Sequence, residues 1–87
     1  MYYVYVLISC KNKKMYIGSS AEPEKRLKAH NAGRGEWSKR YRPWERVILE
    51  SYSDREAAER REKYLKSGWG RRWIKQRIES GGVAESG

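Results

Sequence analysis

The side chains best suited to chemistry are polar groups in or beside apolar segments. Tyr5 and Tyr16 lie in two tyrosine-bearing apolar runs, and Arg26 and His30 are four residues apart, so that one helical face carries both. Glu62 lies at the edge of the inner face of a later helical segment, where a carboxylate needs a cationic partner or a metal ion. These five residues are the candidate catalytic groups.

Their residue types match the needs of phosphodiester hydrolysis. This reaction requires a base that activates water, cations that stabilise charge on the phosphoryl oxygens, and a metal ion that assists the leaving or bridging oxygen. The planar guanidinium of Arg26 matches a phosphate, and the Glu62 carboxylate suits a hard cation such as Mg²⁺. The base is either His30 or a tyrosine, whose pKa near ~10 must be lowered by neighbouring cations. The alternative for Glu62 is an ion pair with Lys66, one helical turn later.

The charge of the chain indicates a polyanionic partner. Among its 87 residues, 20 Lys and Arg oppose 11 Asp and Glu, which gives a net charge of +9. A field of this sign attracts nucleic acid, and the excess is concentrated between Arg26 and Arg46. The alternative is a basic protein whose loop has no specific role. The residues predicted to bind nucleic acid are Lys25, Arg34, Trp37, Lys39, Arg40, Tyr41 and Arg42.

Cysteine usage and the N-terminus predict a cytoplasmic protein. Cys10 is the single cysteine, so no internal disulfide is possible. The apolar run from Tyr2 to Ile8 is too short for a signal peptide or a membrane span. No zinc-ligand spacing, P-loop or dinucleotide fingerprint occurs. The length predicts one domain over residues 1–80, followed by a flexible Gly- and Ser-rich tail over residues 81–87.

The elements that must position the candidate groups follow from the apolar periodicity. Strands are predicted over residues 2–10, 15–20 and 44–52, and helices over 23–32, 54–67 and 70–80. The first two strands are close enough in sequence to form an antiparallel hairpin. Residues 33–43 are predicted to form an irregular basic loop. The order of strands and helices indicates a single α/β (α+β) domain.

Three local features carry specific expectations. Gly18 lies inside a predicted strand, which indicates a bend or a close approach to the backbone. Ser53 is followed three residues later by Glu56, which predicts a capping box. Trp69 and Trp73 have helical spacing and are predicted to pack in the core, the alternative being that they stack on bases.

The register of the hairpin decides whether the two candidate tyrosines meet. A tight turn at Asn12 and Lys13, where Asn suits a left-handed conformation, places Tyr5 and Tyr16 on the same face of the sheet. It also leaves them staggered by four residues, about 13 Å along the strand. A shared site requires a wider or bulged turn, and the sequence does not fix the register.

The ordered set of residues resembles the GIY-YIG nuclease family. Tyr3-Val4-Tyr5 takes the place of the first triplet, and Tyr16-Ile17-Gly18 is an intact second triplet eleven residues later. Glu24-Lys25-Arg26-Leu27, His30 and Glu62 follow at appropriate intervals. The resemblance covers about residues 2–67. The segments that resemble the small single-domain bacterial members in particular are His30-Asn31-Ala32-Gly33-Arg34-Gly35 and Arg42-Pro43.

The resemblance implies a three-stranded antiparallel sheet flanked by helices and a DNA endonuclease that depends on Mg²⁺ or Mn²⁺. It implies that Tyr16 is the general base with Tyr5 beside it, that Arg26 stabilises the scissile phosphate, that His30 assists, and that Glu62 holds the single metal ion. Three alternatives stay open for the target: the enzyme recognises DNA structure in repair or recombination, acts with a partner protein that supplies specificity, or cuts weakly without preference.

Two positions depart from the family pattern. Tyr3 replaces the glycine of the first triplet, and no C-terminal asparagine of the kind found in some members is recognisable. The alternatives to the enzyme are a catalytically weak or inactive nucleic-acid-binding module of the same fold, and an adaptor whose basic loop docks on an acidic partner.

Overall fold

The computed structural model describes residues 1–34 and 36–79, with the backbone alone at residues 36 and 37. The described part contains three strands and four helices, in the order β1 (Tyr2–Ser9), β2 (Met15–Ser20), α1 (Pro23–Asn31), α2 (Glu36–Lys39), β3 (Trp44–Tyr52), α3 (Arg55–Lys66) and α4 (Gly68–Glu79). The antiparallel sheet with flanking helices confirms the predicted fold class. The predicted tail over 81–87 lies outside the described residues, as does residue 80. Within the described residues, no helix has both the length and the apolar character needed to cross a membrane.

The sheet has the order β2-β1-β3, so β1 is central and β2 is an edge strand. Alternation along the strands directs side chains to two separate apolar clusters. The cluster on the face covered by α3 and α4 consists of Val4, Val6, Ile17, Val47, Ile48, Ala58, Leu65 and Ile74. The cluster on the face covered by α1 consists of Tyr5, Leu7 and Trp44, with Tyr16, Leu27, Tyr41 and Leu49 against it.

The hairpin register differs from the one that a tight turn gives. Tyr5 pairs with Gly18, and Leu7 pairs with Tyr16. The two tyrosines are therefore offset by two residues instead of four, on the same face. Their ring centroids lie 6.3 Å apart with an interplanar angle of 18°. The wider turn brings both side chains to one place.

A turn between Ser9 and Lys14 sets this register. The Ser9 backbone N–H donates to the Lys14 carbonyl over 2.8 Å, and the Lys13 N–H donates to the Ser9 carbonyl over 2.9 Å. The left-handed residue is Lys13, with φ of 66°. Asn12 instead accepts a hydrogen bond from the Lys14 N–H through its side chain, over 3.0 Å. The conformation expected at Asn12 thus occurs one residue later.

A side-chain clip fixes α1 against β3. Asn31 Nδ2 donates to the Trp44 carbonyl over 3.1 Å, and the Trp44 N–H donates back to Asn31 Oδ1. Trp44 Nε1 also donates to the Ser38 carbonyl over 2.8 Å, which ties α2 to the same strand. The segment 33–43, predicted from the sequence as an irregular loop, contains this short helix α2. The clip orients the α1 face that carries Arg26 and His30.

The start of α3 corrects a prediction. Asp54 is the N-cap, and its side chain accepts a 2.8 Å hydrogen bond from the Ala57 N–H, so the predicted capping box of Ser53 and Glu56 is wrong. Both Ser53 and Asp54 are competent caps.

A close approach of α4 to α3 corrects another prediction. Ser67 separates the two helices, and a Cβ on Gly70 would strike the Tyr64 carbonyl and Leu65 Cα. Gly70 therefore faces inward, and Trp69 beside it is turned away and is 71% exposed. The expected core position of Trp69 is wrong, whereas Trp73 does pack against the core.

Candidate active site

Gly18 lets a tyrosine of the central strand reach the edge of the sheet. The Tyr5 ring lies across Gly18 of β2, where a Cβ would be 2.7 Å from Tyr5 Oη and 3.0 Å from Tyr16 Cε1. No other residue type leaves this space open at unchanged geometry. The close approach expected from Gly18 is thus a contact with the two candidate tyrosines themselves, and the Tyr5 hydroxyl lies near the open side of β2.

Four candidate groups from four elements converge around the Tyr5 hydroxyl. Tyr5 is 2% exposed, and burial raises its pKa to about 12. The negative charge that Tyr16 and Glu62 carry when ionised also raises the Tyr5 pKa, as does a hydrogen bond between Tyr5 and Tyr16. The positive charge of Arg26 lowers it. Tyr5 therefore keeps its proton at neutral pH. The same interactions show that β1, β2, α1 and α3 each bring one candidate group to this site.

His30 packs against the tyrosine pair. Its ring centroid lies 4.4 Å from that of Tyr16 and 6.1 Å from that of Trp44. Burial, and after it the charge of Arg26, lowers the His30 pKa, so the imidazole is neutral at pH 7. Its Nδ1 is buried and has no hydrogen-bond partner within the described residues. A neutral imidazole with an unpaired nitrogen is able to accept a proton or a hydrogen bond.

Glu62 reaches the same place from the other face of the sheet. Its Oε1 accepts a 2.6 Å hydrogen bond from Ser19 Oγ, and its Oε2 lies 2.7 Å from Lys66 Nζ. Burial raises the Glu62 pKa, but the hydrogen bonds from Lys66 and Ser19 and the charge of Lys66 outweigh it, so the pKa lies below the usual value. Glu62 is therefore ionised at neutral pH. The ion pair considered as the alternative from the sequence is present.

The donor set around Glu62 fits a magnesium-type ion. Within the described residues, no group of three or more His, Cys, Asp or Glu side chains is placed to hold a metal. Mg²⁺ commonly binds one or two carboxylates and completes its shell with water and substrate phosphate. An ionised carboxylate has about four acceptor positions, of which Ser19 and Lys66 use two. One carboxylate with acceptor capacity to spare suits such an ion, and the metal stays a prediction.

The predicted nucleic-acid residues form a basic border beside Arg26. Lys25, Arg26 and Arg34 line a cleft of about 440 Å³ next to α1, and a neighbouring cleft adds Lys28, which the sequence analysis had not singled out. Lys25 and Lys28 are three positions apart on α1 and so share one face of the helix, a signal that could have identified Lys28.

The remaining predicted nucleic-acid residues are less uniform. Lys39 and Arg40 are exposed, and the Arg42 side chain lies over Gly33 at the end of α1. Tyr41 is half-buried against the apolar cluster that contains Tyr5. The Trp37 side chain lies outside the described part of the chain. The cationic residues of this segment remain accessible, whereas Tyr41 contributes chiefly to packing.

Ser19 is a site residue that the sequence did not predict, whereas Lys66 was expected only as the alternative ion-pair partner of Glu62. Ser19 anchors Glu62, and Lys66 neutralises it. Strand alternation provided a signal for Ser19, because it places Ser19 on the face opposite to Tyr16 and Gly18, where α3 packs. Trp44 was also missed, although its ring lies 6.4 Å from that of Tyr16.

Comparisons with known proteins agree with this geometry. The model of the GIY-YIG catalytic domain matches residues 1–77. The chain is 37% identical over 67 residues to the UPF0213 protein SH2523 of Staphylococcus haemolyticus, covering 76% of this chain and 80% of that protein. It is 42% identical over 67 residues to the UPF0213 protein CPE1444 of Clostridium perfringens, covering 76% of this chain and 71% of that protein. No solved structure matches the chain.

The names of these relatives state no activity, so the general activity follows from the domain family. The match runs from β1 into α4 and includes every candidate catalytic residue. The chain belongs to the GIY-YIG family, whose catalytic domain is of the nuclease type.

Proposed function

We propose that this protein is a divalent-metal-dependent endonuclease that hydrolyses DNA phosphodiester bonds. One observation carries the proposal: Tyr5, Tyr16, Arg26 and Glu62 belong to four different elements, and Tyr16, Arg26 and Glu62 all act electrostatically on the Tyr5 hydroxyl. A purely structural role does not explain why the edge strand has a glycine at position 18, where a side chain would collide with the hydroxyl of Tyr5.

Arg26 is the proposed phosphate clamp. It is exposed on α1 and lines the cleft that also contains Lys25 and Arg34. A DNA backbone held by the two flanking cations would present a phosphate to the Arg26 guanidinium, whose planar fork matches two phosphoryl oxygens. Charge that develops on those oxygens in the transition state is then stabilised by a group already in place.

The two tyrosines have different proposed roles. Tyr5 holds its proton, because its pKa is about 12, and so acts as a hydrogen-bond donor to Tyr16. A donated hydrogen bond stabilises a phenolate, which favours Tyr16 as the base that takes a proton from the attacking water. The neutral His30 ring, 4.4 Å from Tyr16, is placed to receive that proton or to hold the phenol in position.

Glu62 is the proposed metal ligand. Ser19 fixes one carboxylate oxygen, and the lowered pKa keeps the group ionised. Mg²⁺ or Mn²⁺ bound there would supply a positive charge to the leaving or bridging oxygen. The Lys66 side chain is 51% exposed, so it has room to move toward solvent when an ion takes up the remaining acceptor positions of Glu62.

The proposed target is branched or flapped DNA, as formed in repair or recombination, with a partner protein able to add specificity. The ion pair between Glu62 and Lys66 favours a second candidate function. A carboxylate already neutralised by a lysine suits a nucleic-acid-binding module of the same fold that does not cleave. The two candidates differ in one observable, which is metal-dependent strand cleavage.

The test is a nicking assay on supercoiled, branched and flapped DNA with Mg²⁺ or with EDTA. We expect cleavage only with the metal, and a fall of at least about 10²-fold in Arg26→Ala and Glu62→Gln. Matched controls are Arg60→Ala and Glu56→Gln, which change the same residue types at exposed positions of α3. Equal residual cleavage in wild type and both site variants would indicate a contaminant and overturn the proposal. Binding without cleavage supports the second function.

A further inference from the structure

We propose that the start of α4 and the end of α3 form a second DNA-contact surface, which binds unpaired nucleotides on the Tyr16 side of the scissile phosphate. We define this junction surface as Lys66, Trp69, Arg71 and Arg72. The inference rests on the endonuclease function proposed above and assigns that enzyme a preference for duplexes with a single-stranded branch.

A cleft connects the Lys66 and Arg71 part of this surface to the candidate base. It has a volume of about 380 Å³ and is lined by Met15, Tyr16 and Ile17 of the edge strand and by Lys66 and Arg71 of the junction. Both charged residues in its lining are cations. Arg26 lines a different cleft, on the α1 side. A DNA strand whose scissile phosphate lies between Arg26 and Tyr16 would therefore meet a basic cleft in each direction along its backbone.

The two cations in the cleft are suited to a phosphate. The Lys66 ammonium touches Glu62 but its side chain is 51% exposed, so it is available at the surface. The Arg71 guanidinium makes one hydrogen bond within the described residues, from Nε to the Lys66 carbonyl over 3.3 Å. Its terminal nitrogens remain as donors, and two donors in a planar fork match a phosphate bidentately.

The exposed ring of Trp69 is the reason to expect unpaired DNA at this surface. Trp69 lies in the first turn of α4, and 71% of it is exposed. The Arg72 guanidinium lies 5.4 Å from the centroid of its ring. Trp73, by contrast, packs against the core. An exposed indole beside an arginine binds bases by stacking, which requires that the base faces be accessible, as they are in single strands and not in a duplex.

The other side of the site lacks this feature within the described side chains. There the cations Lys25, Arg26 and Arg34 line the cleft, and its one aromatic ring among the described residues belongs to Tyr2, which is half-buried. Cations alone follow the phosphates of any DNA without regard to pairing. The asymmetry therefore assigns duplex DNA to the Arg26 side and the unpaired branch to the Tyr16 side. An acidic protein would also bind the cations, but it gains no stacking on Trp69.

The experiment measures binding without cleavage, by fluorescence anisotropy in EDTA. The probes are a labelled blunt duplex and the same duplex with a ten-nucleotide unpaired tail. We expect Trp69→Ala to weaken binding of the tailed duplex by roughly 5- to 100-fold, and the blunt duplex far less, while Trp69→Phe restores most of the affinity. Arg71→Gln should reduce the salt slope for the tailed duplex by about 0.7. Arg60→Gln, an exposed arginine elsewhere on α3, controls for net charge.

A second measurement follows the tryptophan itself. Single-stranded DNA should quench part of the emission of the wild type, which has four tryptophans, and this part should vanish in Trp69→Phe. Melting temperatures establish that the variants are folded. Equal affinity of wild type and Trp69→Ala for the tailed duplex, or unchanged quenching in Trp69→Phe, would overturn the inference.

The outcomes separate this inference from the proposed function. If the wild type cleaves DNA but Trp69→Ala binds the tailed duplex as tightly as the wild type does, the junction surface is refuted and the endonuclease function stands. Selective binding of the tailed duplex through Trp69 without any cleavage removes the endonuclease and leaves the surface. Binding of an acidic polypeptide in preference to both DNA probes overturns both.

Discussion

Replacement of Gly18 by alanine tests whether the gap in β2 positions the tyrosine pair. The new Cβ would lie 2.7 Å from Tyr5 Oη and 2.9 Å from Tyr5 Cζ. Since ordinary carbon contacts lie near 3.5–4.0 Å, the hydroxyl must move by roughly 0.5–1 Å. Tyr5 is 2% exposed, so its ring has no open space in which to turn. The displacement therefore passes to Tyr16 or to the strand itself.

Two effects of different size follow from this displacement. Overpacking of a buried site lowers the free energy of unfolding by about 1–3 kcal/mol. For a domain of this size, each kcal/mol lowers the melting temperature by about 4–8 °C. Misplacing a catalytic group by about 1 Å costs up to about 10²-fold in rate. We expect kcat to fall by roughly 10- to 100-fold in Gly18→Ala, while DNA affinity in EDTA stays close to that of the wild type, because glycine carries no group that binds phosphate.

The matched control is Gly68→Ala. No heavy atom in the described part of the chain lies within 4 Å of a Cβ at Gly68, which begins α4. Both substitutions reduce the freedom of the unfolded chain by the same amount, so the difference between them isolates the contact with the tyrosines. Single-turnover cleavage and thermal unfolding provide the two measurements. Wild-type kcat and melting temperature in Gly18→Ala would refute the view that Gly18 fixes the tyrosine pair.

Three further predictions concern the base, the carboxylate and the helix junction. Tyr16→Phe should lower the cleavage rate by about 10²–10⁴-fold and alter the pH–rate profile, whereas Tyr5→Phe should keep the shape of the profile, because Tyr5 with a pKa of about 12 does not titrate in the working range; equal changes of shape would contradict the assigned roles. The folded-state pKa of Glu62 is depressed, so its contribution to the free energy of unfolding is present above pH ~4.5 and is lost as pH falls through the folded pKa. Urea unfolding should therefore show a difference between wild type and Glu62→Gln that shrinks from pH 6 to pH 3, and a constant difference would argue against an ionised, hydrogen-bonded carboxylate. Gly70→Ala should destabilise the fold by about 3 kcal/mol or more, because its Cβ meets the backbone of α3 at Leu65; an unchanged melting temperature would disprove this contact.

The faces of the sheet were predictable, whereas the register was not. Val4 and Val6 alternate with Tyr5 and Leu7, and this alternation assigns each side chain to a face regardless of its partner. A slip of one residue would exchange the faces, but a slip of two residues preserves them. The tight turn and the observed turn differ by such a two-residue shift. Only the local hydrogen bonds around Ser9 decide between them, and these do not follow from apolar periodicity.

The error at Trp69 has a similar origin. Helical spacing links Trp69 to Trp73, but it also links Gly70 to Ile74, and both pairs are compatible with one apolar stripe. The backbone contact of Gly70 with α3 fixes the rotation of α4. A residue without a side chain thus determines which face is buried, and hydropathy gives it little weight. The same reasoning identifies Gly70 as the residue that leaves Trp69 in solvent.

The candidate site depends on β2 being an edge strand. Tyr5 and Tyr16 lie on the α1 face of the sheet, whereas Glu62 comes from α3 on the opposite face. Groups on opposite faces of a sheet meet only where the sheet ends. At that edge Gly18 lets the Tyr5 hydroxyl pass, and Ser19, which points the other way, holds Glu62. A further strand paired to β2 would close the place where both faces meet, so the open edge that most proteins protect is here the opening through which a DNA strand would reach both sets of groups.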